Sequence, residues 1–318
     1  MSTGSQFNTN RMKREDFINY SNEIYSFLDK NNIEYFSPKY YDDKMTFGDL
    51  DIIFKGEFPK DLLFDYFNVT DDTKKRNDNI TSILYKDFQI DLIEINNNKY
   101  EKIKDFYQYS DLFILLGRIL IKMDIKLSYG SITYFVDTKI NSQYKNVGNI
   151  FISDNFCDIL NFLGLDEKIF KKGFKTQKDL FSYVVDCIYF DPNMFLSKGK
   201  NIKSSTLYNN IIEYSKSLDR TYFNIFLTGK DYFIQAINSY FKSLDFISKI
   251  NSIKEYEALI LSNYEKYNGK FVMQLTGLKN SELNSFMMSF KAYILSKNVY
   301  PSFEKFISQI QPGGMLVL

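Results

Sequence analysis

Histidine and tryptophan are absent from this 318-residue sequence, and cysteine occurs only twice. Without histidine the chain has no Ser-His-Asp triad, no histidine-ligated zinc site and no imidazole general base. Cys157 and Cys187 show no metal-binding spacing and are too few for a disulfide framework, so we interpret both as small buried hydrophobic residues. A reaction that depends on carboxylates and metal ions is compatible with this composition.

Net charge and long apolar runs are also lacking. The 40 Lys and Arg residues are balanced by 39 Asp and Glu residues, which argues against a purely electrostatic nucleic-acid-binding module. No apolar run approaches the roughly 18 residues of a membrane span, and residues 1–10 do not resemble a signal peptide. We therefore predict a cytoplasmic protein with no membrane partner, located in the host cytoplasm or nucleus if it is viral. The abundance of Asn, Ile, Lys, Tyr and Phe indicates an AT-rich genome, typical of viruses, phages and low-GC bacteria.

The composition is that of an ordinary globular protein, with 44% hydrophobic and 25% charged residues. A chain of this length can hold two domains, or one large one. Its apolar patterns predict an α+β fold, in which a small mixed sheet precedes a mainly α-helical C-terminal domain. The predicted parts are a flexible N-terminus at 1–12, the sheet domain at 13–98, a helical domain at 99–310 with a small hairpin near 127–152, and a flexible tail at 311–318.

Several elements follow from the same patterns. Two apolar runs separated by Lys86-Asp87 predict a β-hairpin, although this pair is not a favoured turn sequence. The asparagine run 96–98 predicts a domain boundary. The other predictions are helices at 14–31, 59–67, 111–125, 155–163, 177–190, 204–217, 230–244, 252–267 and 281–296, strands at 33–36, 46–54 and 269–276, and an exposed loop at 71–79.

Three aspartates lie within predicted apolar strands. Side chains two residues apart in a strand share one face, so Asp49 and Asp51 should point the same way, with Cα atoms about 6–7 Å apart. Asp91 lies equally deep in a second apolar strand. Carboxylates in such positions would repel one another and resist ionisation, a difficulty that bound divalent cations would remove. Carboxylates and substrate phosphates are the usual ligands of Mg²⁺, and paired metals suit in-line phosphoryl transfer.

The segment Gly48-Asp49-Leu50-Asp51, followed by Asp91 in a second strand, resembles the palm signature of the DNA polymerase beta-like nucleotidyltransferase superfamily. The resemblance is specific over residues 33–95 and looser over 96–130. It implies a nucleotidyltransferase palm in which the three aspartates are catalytic and bind Mg²⁺ or Mn²⁺. The superfamily also carries a Gly-Ser pair before the first aspartate. Here Ser37 matches the serine and Phe36 replaces the glycine, and the resemblance implies that Ser37 and Gly48 line the nucleotide phosphates.

Cationic and aromatic residues after the sheet domain complete the predicted site. Arg118, Lys122 and Lys126 are spaced four residues apart, which would place them on one face of a helix at 111–125. They form either a solvated stripe or, as the resemblance implies, contacts to triphosphate (Arg118 and Lys122) and to the acceptor strand (Lys126). Tyr129 is a candidate for stacking on the nucleotide base, with ordinary packing as the alternative.

A basic loop lies further along the chain. It contains Lys198, Lys200 and Lys203, which we assign to nucleic-acid binding. No other part of the C-terminal half matches a known motif.

The predicted function is metal-dependent transfer of a nucleotide from an NTP to an acceptor hydroxyl, with release of pyrophosphate. The preferred acceptor is the 3′ end of a nucleic acid, RNA in preference to DNA. Two alternatives remain open: a non-catalytic nucleic-acid-binding or scaffold protein on a decayed palm, and nucleotidylation of a protein or small molecule. The near-neutral charge disfavours the first, and the large aromatic helical half disfavours a small acceptor.

Overall fold

A computed structural model describes residues 6–128, 130–140, 143–196, 205–255 and 269–297. It confirms the predicted α+β class. Contacts divide the chain into two compact units, the first within residues 1–135 and 151–244 and the second within 136–150 and 245–318. Neither division falls at the asparagine run 96–98, where Asn96 instead caps a helix through a hydrogen bond from the Asn98 backbone N–H to its side chain.

Ten strands are described. A five-stranded mixed sheet has the order β2-β4-β7-β6-β5, in which β4 and β7 are parallel and all other neighbours are antiparallel. The small strands β1 and β3 pair with each other, and a three-stranded sheet has the order β10-β9-β8. In chain order the strands are β1 (Met12–Lys13), β2 (Tyr35–Phe36), β3 (Thr46–Phe47), β4 (Asp49–Lys55), β5 (Lys74–Asn77), β6 (Ile80–Tyr85), β7 (Phe88–Ile95), β8 (Ile125–Ser128), β9 (Ser131–Ile140) and β10 (Gln143–Ser153).

Helices make up most of the remaining described chain. Residues 246–255 are also helical. In chain order the helices are α1 (Arg14–Lys30), α2 (Lys60–Phe67), α3 (Asn97–Tyr107), α4 (Ser110–Ile121), α5 (Phe156–Phe162), α6 (Glu167–Lys172), α7 (Gln177–Val185), α8 (Ser205–Lys216), α9 (Lys230–Tyr240), α10 (Gly269–Thr276) and α11 (Asn280–Lys297).

The central sheet has two different faces, because side chains alternate along each strand. One face packs against α1 and α2, and its core includes Leu50, Ile52 and Phe54 from β4. The helix α1 forms because its apolar side chains recur at helical spacing: Phe17, Tyr20, Ile24 and Leu28 are all buried. The opposite face carries Asp49, Asp51, Gln89 and Asp91, and we call it the carboxylate face.

The carboxylate face is apolar at its other end. There Ile53, Ile93 and Ile95 pack against Tyr100 and Ile103 of α3. The α3 helix was not predicted from the sequence, because its pattern is dominated by asparagines and lysines.

The predicted β6–β7 hairpin is confirmed. Its two turn residues, Lys86 and Asp87, have φ angles of 48° and 60°, the left-handed geometry that a two-residue type I′ hairpin turn requires. The predicted hairpin near 127–152 is also present among the described residues, extended by β8 to three strands.

Some element predictions are wrong, and the helices predicted at 177–190 and 230–244 end early, at Val185 and Tyr240. Residues 74–77 form the edge strand β5 instead of a loop, because pairing with β6 satisfies their backbone although all four side chains are exposed. The helix predicted at 111–125 ends at Ile121, since Asp124 adopts a φ of 58° and Ile125 enters β8. Residues 269–276 form a helix, α10, where a strand was predicted; a short apolar run cannot distinguish the two by pattern alone.

Candidate active site

The parallel pairing of β4 and β7 brings the three predicted aspartates together. Asp51 lies directly opposite Asp91, and Asp49 lies opposite Gln89. Neighbouring strands are about 4.8 Å apart, so the three aspartates form one patch on the carboxylate face. Sequence reasoning placed Asp49 and Asp51 on a common face, and the register adds Asp91 to it.

Electrostatics of this patch disfavour ionisation of the central carboxyl group. The pKa of Asp51 is raised well above its usual value, first by burial and then by the nearby Asp49 and Asp91 carboxylates. The Lys44 ammonium acts in the opposite direction. The patch therefore has the environment that favours binding of a cation.

Asp91 is held by a buried amide that the sequence analysis did not identify. The Gln89 Nε2 donates to Asp91 Oδ1 over 2.9 Å, and Gln89 is fully buried. Its carbonyl oxygen accepts hydrogen bonds from the backbone N–H groups of Gln6 and Phe7, at 2.8 and 3.3 Å. Residues 6 and 7, predicted as part of a flexible N-terminus, therefore make defined contacts at this site. The sequence did contain a signal for Gln89, because it is a polar residue on the same face as Asp91 in an otherwise apolar strand.

Ser37 directly follows β2, at the start of the connection that leads to β3 and β4. Its hydroxyl donates to the backbone carbonyl of Asp51 over 2.6 Å, which ties this connection to the aspartate strand. Phe36, which replaces the glycine of the superfamily pattern, packs edge-on against Tyr100 and Tyr107, with ring centroids 5.5 and 6.2 Å away. The larger residue thus belongs to the apolar end of the carboxylate face.

Gly48 lies in close contact with a cationic side chain. A Cβ atom at this position would be 3.2 Å from Arg11 Nη1. The Arg11 guanidinium is oriented by hydrogen bonds to the hydroxyl and carbonyl oxygens of Thr46, at 2.9 and 2.8 Å. Arg11 is exposed, immediately beside the residue that precedes Asp49. Nothing in the sequence singles out this arginine, because it is far from the motif along the chain.

Lys44 is a second cation that sequence reasoning missed. Its Nζ lies 4.7 Å from the Tyr40 ring centroid and 4.8 Å from that of Phe47. Burial lowers the pKa of Lys44, while the carboxylates of Asp111, Asp49 and Asp51 raise it in part. Lys44 is therefore a positive charge beside the aspartate patch.

The N-terminal end of α4 contributes a further carboxyl group beside Lys44. Burial raises the pKa of Asp111, and the Gln177 hydrogen bond and Lys44 offset part of that rise. The Gln177 Nε2 donates to Asp111 Oδ2 over 3.1 Å.

A cleft of about 540 Å³ opens beside Ser37, between α1 and the chain leading to β4. Burial raises the pKa of both Tyr25 and Tyr40, and the nearby Asp51 carboxylate raises it further. The cleft thus borders the aspartate patch. It is lined by Arg14, Phe17, Ile18, Ser21, Asn22, Tyr25, Tyr35, Ser37, Pro38, Lys39, Tyr40, Phe47, Tyr109 and Phe174.

The predicted cationic stripe does not lie on one helix face. Lys122 follows the last residue of α4, and Lys126 lies in β8, so this part of the prediction is wrong. The Arg118 Nε donates to the Met194 carbonyl over 2.7 Å, and its guanidinium carbon lies 5.8 Å from the Tyr208 ring centroid. Arg118 is thus engaged with the helical part of the first unit. The nucleotide roles of Arg118 and Lys122, and the acceptor-strand role of Lys126, stay predictions.

The remaining predicted site residues, Tyr129, Lys198, Lys200 and Lys203, lie outside the described residues.

The donor set of the aspartate patch suits a hard divalent cation, because it consists of carboxylate oxygens. Within the described chain, no three or more acidic or cysteine side chains are already arranged closely enough to hold a metal ion. Asp49, Asp51 and Asp91 would therefore have to rotate towards a common centre to bind one. A bound cation would offset the repulsion from Asp49 and Asp91 that helps to raise the pKa of Asp51.

Comparisons with known proteins add no assignment. No family model matches the chain, and no curated protein matches it significantly. Across the described residues, none of the helices combines the length and apolar character needed to cross a membrane.

Proposed function

We propose that this protein is a metal-dependent nucleotidyltransferase of the polymerase beta-like type, which transfers a nucleotide from an NTP to an acceptor hydroxyl. The observation that carries the proposal is the register of the parallel strands, with Asp51 opposite Asp91 and Asp49 on the same face. Ser37, bonded to the carbonyl of Asp51, provides the second part of the superfamily pattern. The proposed acceptor is the 3′ end of RNA in preference to DNA.

Asp49, Asp51 and Asp91 would hold the Mg²⁺ or Mn²⁺ ions. When bound, such ions lower the pKa of an attacking hydroxyl and neutralise charge on the triphosphate and on the departing pyrophosphate. Both strands that carry these carboxylates are fixed in the core, so the positions from which the carboxylates would bind the ions are fixed as well. A bound cation would favour the ionised form of Asp51, since its charge offsets the repulsion from Asp49 and Asp91 that contributes to the raised pKa.

The cations beside the patch are suited to the phosphates. Arg11 is exposed, and while its Nε and Nη2 donate to Thr46, its Nη1 lies against Gly48, where its N–H groups could donate to phosphate oxygens. Lys44 adds a charge close to Asp49 and Asp51. We therefore assign the triphosphate contacts to Arg11 and Lys44 in the first place, because Arg118 is engaged with Met194 and Tyr208. Ser37 serves the site by fixing the connection that leads to β3 and β4.

Label transfer tests the proposal. Wild-type protein is incubated with each α-labelled NTP, Mg²⁺ or Mn²⁺, and matched RNA and DNA primers. We expect labelled primer, and no label with Asp49→Ala. The exposed Asp65 on α2 provides a matched control, and Asp65→Ala should label the primer as the wild type does.

Three results distinguish the alternatives. Transfer that persists in Asp49→Ala would refute the assigned site. Label on a protein band or a small molecule would replace the nucleic-acid acceptor. If there is no transfer and none of the four NTPs with Mg²⁺ raises the melting temperature, the palm is a non-catalytic scaffold, because a ligand that binds only the folded state stabilises it.

A further inference from the structure

Gln89 is an unusual residue for the centre of a buried strand. It is fully buried and lies on the carboxylate face, two residues before Asp91 and opposite Asp49. A buried amide is costly unless its polar atoms find partners. Here both ends do: Nε2 donates to Asp91, and Oε1 accepts from two backbone N–H groups.

These contacts define which way the amide faces. Rotating the Gln89 amide by half a turn would place its NH₂ group against the N–H donors of Gln6 and Phe7. The same rotation would place its oxygen against the Asp91 carboxylate. All three hydrogen bonds would be lost to repulsive contacts, so the N-terminal donors and the Asp91 carboxylate select the same orientation, with an N–H group facing Asp91.

The segment at residues 6–7 is attached at a second point. The Lys75 Nζ donates to the Gln6 carbonyl and lies 4.8 Å from the Phe7 ring centroid. Lys75 is aligned with Ser82, and Ser82 is aligned with Asp91. This second attachment point therefore lies in the same row across the sheet as Asp91. The two attachment points, Gln89 in one row and Lys75 in the neighbouring row, keep the donors of residues 6 and 7 over Gln89.

We infer that Gln89 is a positioning residue for Asp91, and that the N-terminal segment Gln6–Phe7 is a working part of the acidic site because it orients Gln89. The inference rests on the proposed function, in which Asp91 is a metal ligand. Partners that hydrogen-bond to metal ligands typically contribute about 10- to 100-fold to metal affinity.

The test is Mn²⁺ affinity, measured on the full chain by electron paramagnetic resonance of free Mn²⁺. Gln89→Met, which removes all three hydrogen bonds, should weaken binding about tenfold. Gln6→Pro removes only the shorter backbone donor and should weaken binding by roughly threefold to tenfold. Gln6→Ala keeps that donor and is the matched control, with affinity within about twofold of wild type.

A double variant examines whether the two residues act in series. Gln6→Pro combined with Gln89→Met should bind Mn²⁺ no more weakly than Gln89→Met alone, since the segment acts only through the amide. Ser215→Ala removes a buried hydrogen bond to the Ile212 carbonyl, and it should leave Mn²⁺ binding unchanged. Gln6→Pro alters no fully buried side chain, so it tests the inference even where Gln89→Met does not fold.

The outcomes separate the inference from the proposed function. Wild-type affinity in both Gln89→Met and Gln6→Pro overturns the inference alone, provided that wild-type protein binds Mn²⁺. Equal weakening by Gln6→Ala and Gln6→Pro overturns the role of the backbone donor. If wild-type protein neither binds Mn²⁺ nor labels primer, the proposed function fails and the inference fails with it.

Discussion

Replacing Asp51 by asparagine should stabilise the metal-free protein at neutral pH. The substitution keeps the shape of the side chain and removes one of the charges in the aspartate patch. Neighbouring strands place these groups about 5 Å apart, and at an effective dielectric constant near 20 each charged pair repels by roughly 3 kcal/mol. Protonation and side-chain rotation relieve part of this repulsion. We therefore expect Asp51→Asn to raise the free energy of unfolding by about 1–2 kcal/mol.

The sign of the pH dependence follows from the raised pKa of Asp51. Between the unfolded-state pKa, about 3.9, and the raised folded-state value, the folded protein binds more protons than the unfolded chain. The wild-type free energy of unfolding therefore falls as the pH rises through that window. Asp51→Asn lacks this loss of stability. Its free energy of unfolding should therefore exceed that of wild type only slightly near pH 4 and by more towards neutral pH.

Thermal unfolding in a chelator, followed at several pH values, measures the effect. At about 2–4 °C per kcal/mol for units of 150–250 residues, the variant should melt roughly 2–8 °C above wild type at neutral pH. Added Mg²⁺ should stabilise wild type and leave Asp51→Asn nearly unchanged. Asp65→Asn, at an exposed position, is the control for loss of a carboxylate. A variant that melts below wild type in the chelator at neutral pH would refute the repulsion on which the argument depends.

Substitutions at three further positions probe other contacts of the first unit. Ser37→Ala removes the hydrogen bond to the Asp51 carbonyl and should cost about 1–3 kcal/mol in urea unfolding as well as reduce label transfer. Arg118→Ala should lower the free energy of unfolding by a similar amount, because it leaves the Met194 carbonyl without this donor. Arg118→Lys should recover little of that stability. Unchanged urea midpoints would contradict this structural role. Lys44→Met should lower the free energy of unfolding more at pH 8 than at pH 5, because Lys44 opposes the rise in the pKa of Asp51. Equal losses at both pH values would exclude this interaction between Lys44 and Asp51.

The sequence predicted the strands of the site well, because their pattern is local. Alternation in β4 placed Asp49 and Asp51 on one face, and two apolar runs around Lys86-Asp87 predicted the hairpin. The alignment of Asp51 with Asp91 is not a local property. It depends on how β7 is inserted beside β4, which burial of the whole sheet determines.

The surrounding groups could not be predicted for the same reason. The bond from Gln6 to Gln89 joins residues 83 positions apart, and nothing in either local sequence indicates it. Lys44 becomes significant only where Asp111 and the aspartate strand converge on it. The prediction of a cationic stripe was wrong at Lys126, because this residue pairs with β9 as part of β8. This pairing ends the helix that the apolar spacing of the sequence would otherwise extend.

The position of the patch on the sheet accounts for its electrostatics. Aligned residues form rows across the sheet: Asp51, Asp91, Ser82 and Lys75 make one row. The row two residues further along β4 consists of Ile53, Ile93 and Ile80, and it belongs to the apolar cluster under α3. The carboxylates thus lie within one side-chain spacing of a water-excluding core, which is why burial is the largest cause of the raised pKa of Asp51. Because the same strands carry both rows, a substitution that loosens the packing of Ile53 or Ile93 should admit water beside Asp51 and lower its pKa towards the usual value. The charge at the site therefore depends on the apolar half of the same face.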